Sequence, residues 1–234
     1  MDLHVHTCLS PCGDDGMVPR TIVAEAERAG LDGIAICDHN AAANVRAVRQ
    51  AASGSQLAVL AGIEVTTAEE IHLLALFDGQ ERLDAFAGLV KEHLSGQNDP
   101  ELFGYQIIVE QSGEPVGLEE SLLIGATDLG VAQVVQAIHS FEGLAIASHV
   151  DRESFSLLGQ LGFIPEDLAL DAVELSRHAG PEGSYRLRGL PVLRSSDAHS
   201  PEEIGKAFTT FLVEQATVSE IALALAGRQG RRIV

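Results

Sequence analysis

Over roughly the first hundred residues, short apolar runs of strand length alternate with stretches whose apolar positions recur at helical spacing. DLHVH opens the chain as a strand. TIVAEAERAG then reads as a helix, with Pro19 near its start and Gly30 near its end, the asymmetry that helix termini favour. LDGIAICDH reads as a strand, AAANVRAVRQAA as a helix, LAVLAGIEV and IHLLALF as strands, and ERLDAFAGLVKEHL as an amphipathic helix. Between about residues 101 and 129 the rhythm breaks. There YQIIVEQSGEPVG predicts a hairpin turning over Ser112 to Pro115, in a segment expected to be an insertion or lid. The pattern then resumes with VAQVVQAIHSFEG as helix, LAIASHV, LALDAVELS, LPVLRSSDAH and AFTTFLV as strands, and VSEIALALAG as a closing helix. No solenoid-period repeat or low-complexity linker interrupts this rhythm, which predicts a single α/β domain over residues 1–234 with barrel-like organisation.

Composition fits that class. Hydrophobic residues make up 46% of the 234, with no Trp and only 4% aromatic, so the core is built from Ala, Leu, Ile and Val, as in buried parallel strands. Charge narrows the partners. Thirty-four acidic against 15 basic side chains give a formal charge of −19, which argues against attraction to an anionic membrane or a long nucleic-acid backbone. A small anionic substrate stays compatible, because bound divalent cations reverse the local field. The dense basic cluster RQGRR near the end reads as a solvated tail. The three cysteines and the lack of a secretory apolar segment point to a reducing, cytoplasmic setting, with no obligate protein partner evident.

Candidate chemistry gathers where the strands end. His4 and His6 stand two apart on the opening strand and so point to one face, where two imidazoles suggest a metal. The strand ends IAICDH, AGIEV, AIASH and LRSSDAH add Asp38, His39, Glu64, His149, Asp197 and His199, while His72 alone sits at a strand start. In a barrel of parallel strands the C-terminal ends meet on one face, where active sites lie. Such a set of imidazoles and carboxylates suits Zn, Mn or Fe.

DLHVHT, CLSPCGDD, ICDHN, GIEVT, IHLLAL, ASHVDR and SSDAH, in this order, resemble the polymerase and histidinol phosphatase (PHP) family of metal-dependent phosphoesterases across almost the whole chain. The resemblance implies a distorted (β/α)7 TIM-like barrel with two or three divalent metal ions at its C-terminal face. It implies His4, His6, Glu64 and Asp197 as ligands of a first ion, and Glu64 as the bridge to a second ion held by His72 and His149. His39 and His199 belong to a third, and Asp38 is expected to hold an imidazole in its tautomer. The family's further ligand to the third ion falls in CLSPCGDD, where Cys12 and Asp14 rank ahead of Asp15. Cys8 and Cys37 read as ordinary small or buried residues.

The implied reaction is hydrolysis of a phosphate ester by a hydroxide shared between two ions about 3.5 to 4 Å apart. Arg152 and Arg177, each just past a strand end, are candidates to hold the phosphate, and His178 to protonate the leaving group. The expected substrate is a small phosphorylated metabolite, a nucleotide or a short oligonucleotide end, with a phosphomonoester ahead of a diester. Two other readings compete. An amidohydrolase would need a carbamylated lysine at a strand end, and only Lys91 and Lys206 are available. A metal-stabilised binding or accessory module would keep the ligands without turnover.

Overall fold

A computed structural model describes residues 1–234. Its strands are β1 (Asp2–Val5), β2 (Gly33–Ile36), β3 (Ala58–Thr66), β4 (His72–Phe77), β5 (Ile107–Val109), β6 (Pro115–Leu118), β7 (Leu144–Ala147), β8 (Ala172–Leu175), β9 (Val192–Arg194), β10 (Phe211–Leu212) and β11 (Arg232–Ile233). The helices are α1 (Pro19–Arg28), α2 (Val45–Ala51), α3 (Gln80–Glu92), α4 (Pro100–Phe103), α5 (Val131–Ser140), α6 (Leu157–Leu161) and α7 (Val218–Leu225). Seven strands form one sheet in the order β1-β2-β3-β4-β7-β8-β9. Beyond β9 the chain meets β1 again: His6 N–H donates to Ala198 O at 3.0 Å, and Val5 and Ala198 form a parallel bridge. The sheet is thereby a nearly closed α/β barrel, as expected.

One strand departs from the all-parallel expectation. β4 runs antiparallel to both β3 and β7, whereas the other neighbours in the sheet pair in parallel. The segment between β3 and β4, residues 67–71, is too short for the helical crossover a parallel return requires. Reversal has a functional consequence: the start of β4 lies at the same barrel end as the finishes of its neighbours. His72, the exception in the sequence pattern, is thus carried to the common face.

Two apolar clusters hold the barrel. The larger packs the helices on the sheet through residues such as Ile22, Val48, Ile63, Phe86 and Ile138. The smaller contains Leu60, Leu74, Leu76, Ile146, Ala172 and Leu193, and includes Val218 and Ile221 of α7. Strand alternation continues this inner face into polar residues at one end. Glu64 stands two beyond Gly62, Glu174 two beyond Ala172, and His72 two before Leu74. Space is tight beneath them, for a Cβ at Gly62 would lie 2.6 Å from Cys37 Sγ and 2.9 Å from Ile36 O. Gly62→Ala is therefore expected to destabilise the protein by about 1–3 kcal/mol through overpacking, read as a lower urea midpoint at unchanged slope.

Several local expectations change. AFTTFLV contributes only Phe211–Leu212, which pair with β11 outside the main sheet. The basic C-terminal cluster is likewise no solvated tail: Arg232 lies on β11, and Arg231 pairs with Glu214 at 2.6 Å and Glu220 at 3.0 Å. α4 and α6, too short to show periodicity, were not legible in the pattern. The irregular segment near residues 101–129 contains the expected hairpin as a separate two-stranded sheet, β5–β6, with Gly113 at φ 94° in its turn. Asn40 Nδ2 fastens this segment by donating to Leu123 O at 2.9 Å and Gly125 O at 2.8 Å.

Candidate metal centre

The strand ends bring their donors together at one point of the barrel. His4 and His6 leave β1 fully buried, and their Nε2 atoms are 3.1 Å apart. Glu64 Oε1 lies 3.3 Å from His4 Nε2, 3.2 Å from His72 Nδ1 and 3.3 Å from His149 Nε2. Its Oε2 is 3.0 Å from His39 Nδ1 and 3.5 Å from His6 Nε2. Asp197 Oδ1 completes the cluster at 3.1 Å from His6 Nε2 and 3.3 Å from His4 Nε2. Three overlapping groups of donor atoms are compact enough to hold an ion: His4, His6 and Asp197; His39, Glu64 and His72; and His6, His39 and His199.

Backbone conformation directs these side chains. Asn40 (φ 49°), His149 (φ 29°) and Asp197 (φ 51°) adopt left-handed conformations just past β2, β7 and β9. For residues other than glycine these conformations are uncommon, and they concentrate at functional sites. Asn40 N–H donates to Glu64 O at 2.7 Å, so the turn after His39 is clamped to the strand that carries Glu64.

Residues behind the imidazoles fix their orientation. Asp38 does not touch an imidazole, contrary to the simplest expectation. It accepts from Ser10 Oγ at 2.7 Å and from the Thr7 amide and hydroxyl at 2.7 and 2.8 Å. Ser10 Oγ, having donated to Asp38, accepts from His6 Nδ1 at 2.9 Å. His4 Nδ1 donates to Glu174 Oε1 at 3.1 Å, and the same oxygen accepts from His149 N–H at 3.2 Å. With both Nδ1 atoms committed as donors, both neutral rings present Nε2 lone pairs to each other at 3.1 Å. Only a shared proton or a cation reconciles that contact.

Electrostatics carry the same requirement. Burial opposes charge on Glu64, but the imidazoles of His72, His4 and His39 hold its carboxyl well below the usual carboxylate range. Burial likewise opposes charge on His4, yet Glu64, Asp197 and Glu174 push its pKa well above the ordinary value. Burial and neighbouring His199 push His6 well below it. Both Glu64 oxygens are buried with no hydrogen-bond donor, as are the Nδ1 atoms of His72 and His149. Donors separated by 3.1–3.5 Å match the edges of a tetrahedron around a zinc-sized ion, about 3.3 Å for bonds near 2.0 Å. The residues present therefore fit divalent metal.

Above this floor opens a cavity of 250 Å³ lined by Cys12, His39, Glu64, Thr66, His72, Ile124, His149, Arg152, Phe155, Asp197 and His199. Cys12 lines its mouth; burial alone raises the thiol pKa, but hydrogen bonds with His199 and His39 bring it down to about 6. Asp14 is held elsewhere, its carboxylate accepting from Gly16 N–H at 2.7 Å on the exposed loop. Arg152 reaches the site, with Nη2 2.6 Å from Asp197 Oδ2. Arg177 and His178 do not line the cavity. Arg177 pairs with Glu203 at 2.5 Å and donates from Nε to His178 Nε2 at 3.0 Å, because Glu203 offers a nearer carboxylate. Lys91 and Lys206 are absent from the lining, and Lys91 instead pairs with Glu119 at 3.0 Å. Cys37 is buried, as expected, and Cys8, read as a small loop residue, is buried as well.

The PHP domain family matches residues 2–160, more than half of the chain, and the PHP-associated family matches residues 184–231. The chain belongs to the PHP domain family. Membership places it in a family of metal-dependent phosphoesterases. Among curated relatives, the 5′-3′ exoribonuclease Rnm of Escherichia coli is 25% identical, over 97% of this chain and 80% of that protein. The uncharacterized protein YqxK of Bacillus subtilis is 31% identical over 105 residues, 42% of this chain and 27% of its own length. The fold is shared with the lesion-specific endonuclease PfuEndoQ of Pyrococcus furiosus, at a TM-score of 0.76 and 20% identity over 99% of this chain. This chain spans 56% of that endonuclease.

Glu174, Ser10, Ile124 and Phe155 are the site residues that sequence reasoning missed. Glu174 had a signal, being the one carboxylate at an inward position of an otherwise apolar strand. Ile124 and Phe155 lie in segments without periodicity and had none.

Proposed function

We propose that this PHP domain hydrolyses a phosphodiester at the end of a short nucleic-acid strand, releasing a nucleotide. The observation that carries the reading is the cavity: a floor of imidazoles and carboxylates under a single guanidinium, in 250 Å³. That volume lies just below the usual range for cavities enclosing a drug-sized ligand, so it suits a phosphoryl group and part of one nucleotide. The acidic composition had argued for a small phosphorylated substrate and against long nucleic acid. Two relatives run against that expectation: Rnm is an exoribonuclease, and endonuclease Q has a structure in complex with a 27-mer duplex carrying an abasic lesion at its active site. They favour a diester over the monoester first expected.

In this reading His4, His6, Glu64 and Asp197 hold one ion, Glu64 also serves a second with His72 and His149, and His39, His199 and Cys12 serve a third. Divalent Zn, Mn or Fe bound there would supply Lewis-acid charge and activation of water. The chain's own contribution is orientation and charge. Glu174 and Ser10 fix the tautomers of His4 and His6, so that each Nε2 presents a lone pair. Arg152, anchored on Asp197, retains N–H donors for a phosphoryl oxygen, and its planar fork suits that contact.

The test is a substrate panel on metal-verified protein restored with Mn²⁺ or Zn²⁺. A 5′-phosphorylated single-stranded pentaribonucleotide is expected to yield mononucleotides faster than p-nitrophenyl phosphate yields phosphate. No turnover on any substrate, with the ions bound, would favour the non-catalytic module instead. Arg152→Ala is expected to raise KM about tenfold, the worth of one charge-assisted hydrogen bond, with a smaller change in kcat. An unchanged KM would reduce Arg152 to an ion-pair partner of Asp197.

A further inference from the structure

We propose that Phe155 and Ile124 form a stacking rim for the base of an unpaired nucleotide whose phosphate lies over the buried donors. This inference rests on the strand-end reading above and names how the site selects its substrate. Unlike the polar floor, these two cavity-lining residues are exposed, Phe155 by 40% and Ile124 by 45%. Two large apolar side chains at the mouth of a charged site gain by covering a flat apolar surface. A phosphorylated metabolite without an aromatic ring offers little of it; a nucleobase offers a whole π-face.

The rim is held in place from both sides. Phe155 stacks on the His72 ring with centroids 4.9 Å apart and planes 25° from parallel. Its backbone has φ 55°, a conformation that glycine or asparagine adopts more readily than phenylalanine. From that conformation its carbonyl accepts the His72 N–H at 3.0 Å, which ties the aromatic wall to the start of β4. Ile124 lies between Leu123 and Gly125, whose carbonyls both accept from Asn40 Nδ2, the residue next to His39. Two separate segments thus present apolar groups at fixed positions beside imidazoles of the floor.

Depth determines the pairing state of the nucleotide. Glu64, fully buried, lines the floor of the 250 Å³ cavity, and the equally buried His4 and His6 lie against it beneath that floor. A duplex is far bulkier than such a cavity. A paired nucleotide cannot bring its phosphate to the floor and its base to Phe155 together, whereas a strand end or an extruded nucleotide can.

A pentaribonucleotide with phosphorothioate linkages and 2-aminopurine at its 5′-phosphorylated first position tests this without turnover. The wild-type protein is expected to quench the 2-aminopurine fluorescence, as stacking does, and Phe155→Ala to lose most of the quench and bind about tenfold or more weakly. Phe155→Trp is expected to restore both, and metal content measured on each variant separates lost stacking from a disturbed His72. In kinetics on cleavable strands, the preference for a base-bearing over an abasic first nucleotide should fall about tenfold in Phe155→Ala. If the wild type cleaves the strand but Phe155→Ala keeps the quench and the preference, the rim is overturned and the phosphodiesterase reading stands. If metal-verified wild type neither binds nor cleaves the strand, both fall.

Discussion

Replacing Glu64 with alanine is expected to reduce phosphoester hydrolysis at least about a thousandfold, corresponding to the several kcal/mol of transition-state stabilisation that bound metals provide. The cause is its position. One carboxylate approaches the nitrogens of His4, His6, His39, His72 and His149, all within 3.0–3.5 Å, and both oxygens lack any other partner. Alanine removes the one anion shared by all five imidazoles and leaves Asp197 beside His4 and His6 alone, so bound metal should fall together with activity. The fold should survive. Glu64 is a desolvated carboxylate rather than a packing residue, and without it the imidazoles it faced can stay neutral while Asp197 keeps its ion pair with Arg152. Elemental analysis and a thermal melt on the same sample check both halves, and a variant that keeps its metal and its turnover would remove Glu64 from the centre.

Glu174→Ala is expected to weaken metal binding about 10- to 100-fold, although Glu174 lies behind His4 rather than among the donors facing the cavity. Its Oε1 fixes His4 Nδ1 and the His149 amide at once, so its loss frees one ring to rotate or change tautomer and leaves a buried N–H unpaired. Glu174→Gln keeps an acceptor in nearly the same place and should recover most of the affinity. Isothermal titration with Mn²⁺ on the three proteins separates orientation from bulk stability. Equal affinity in all three would show that His4 needs no such support.

The barrel was legible because its strands are continuous apolar runs ended by polar residues, a pattern that burial on both faces imposes. The candidate ligand set was legible for the same reason: His4, His6, His39, Glu64, His149 and Asp197 all end such runs. His72 was correctly read at a strand start, but the parallel assumption gave no reason for it to reach the common face, since strand polarity depends on the length of the connection rather than on the strand itself. Arg177 looked as well placed as Arg152, and only the fold brings Glu203 to intercept it. Cys12 and Asp14 could not be separated by spacing, because the loop CLSPCGDD turns Asp14 back onto Gly16. The charge of −19 was legible too, but it describes the whole surface, and divalent ions bound in one cavity would reverse its sign where a phosphate would enter.

Anomalous diffraction from crystals equilibrated with MnCl₂ would locate the ions directly. Two peaks are expected within bonding distance of Glu64, one bounded by His4, His6 and Asp197 and the other by His72 and His149, with any third beside His39 and His199. Peaks confined to surface carboxylates, with the buried donors still facing one another unbridged, would contradict a metal-built phosphoesterase site.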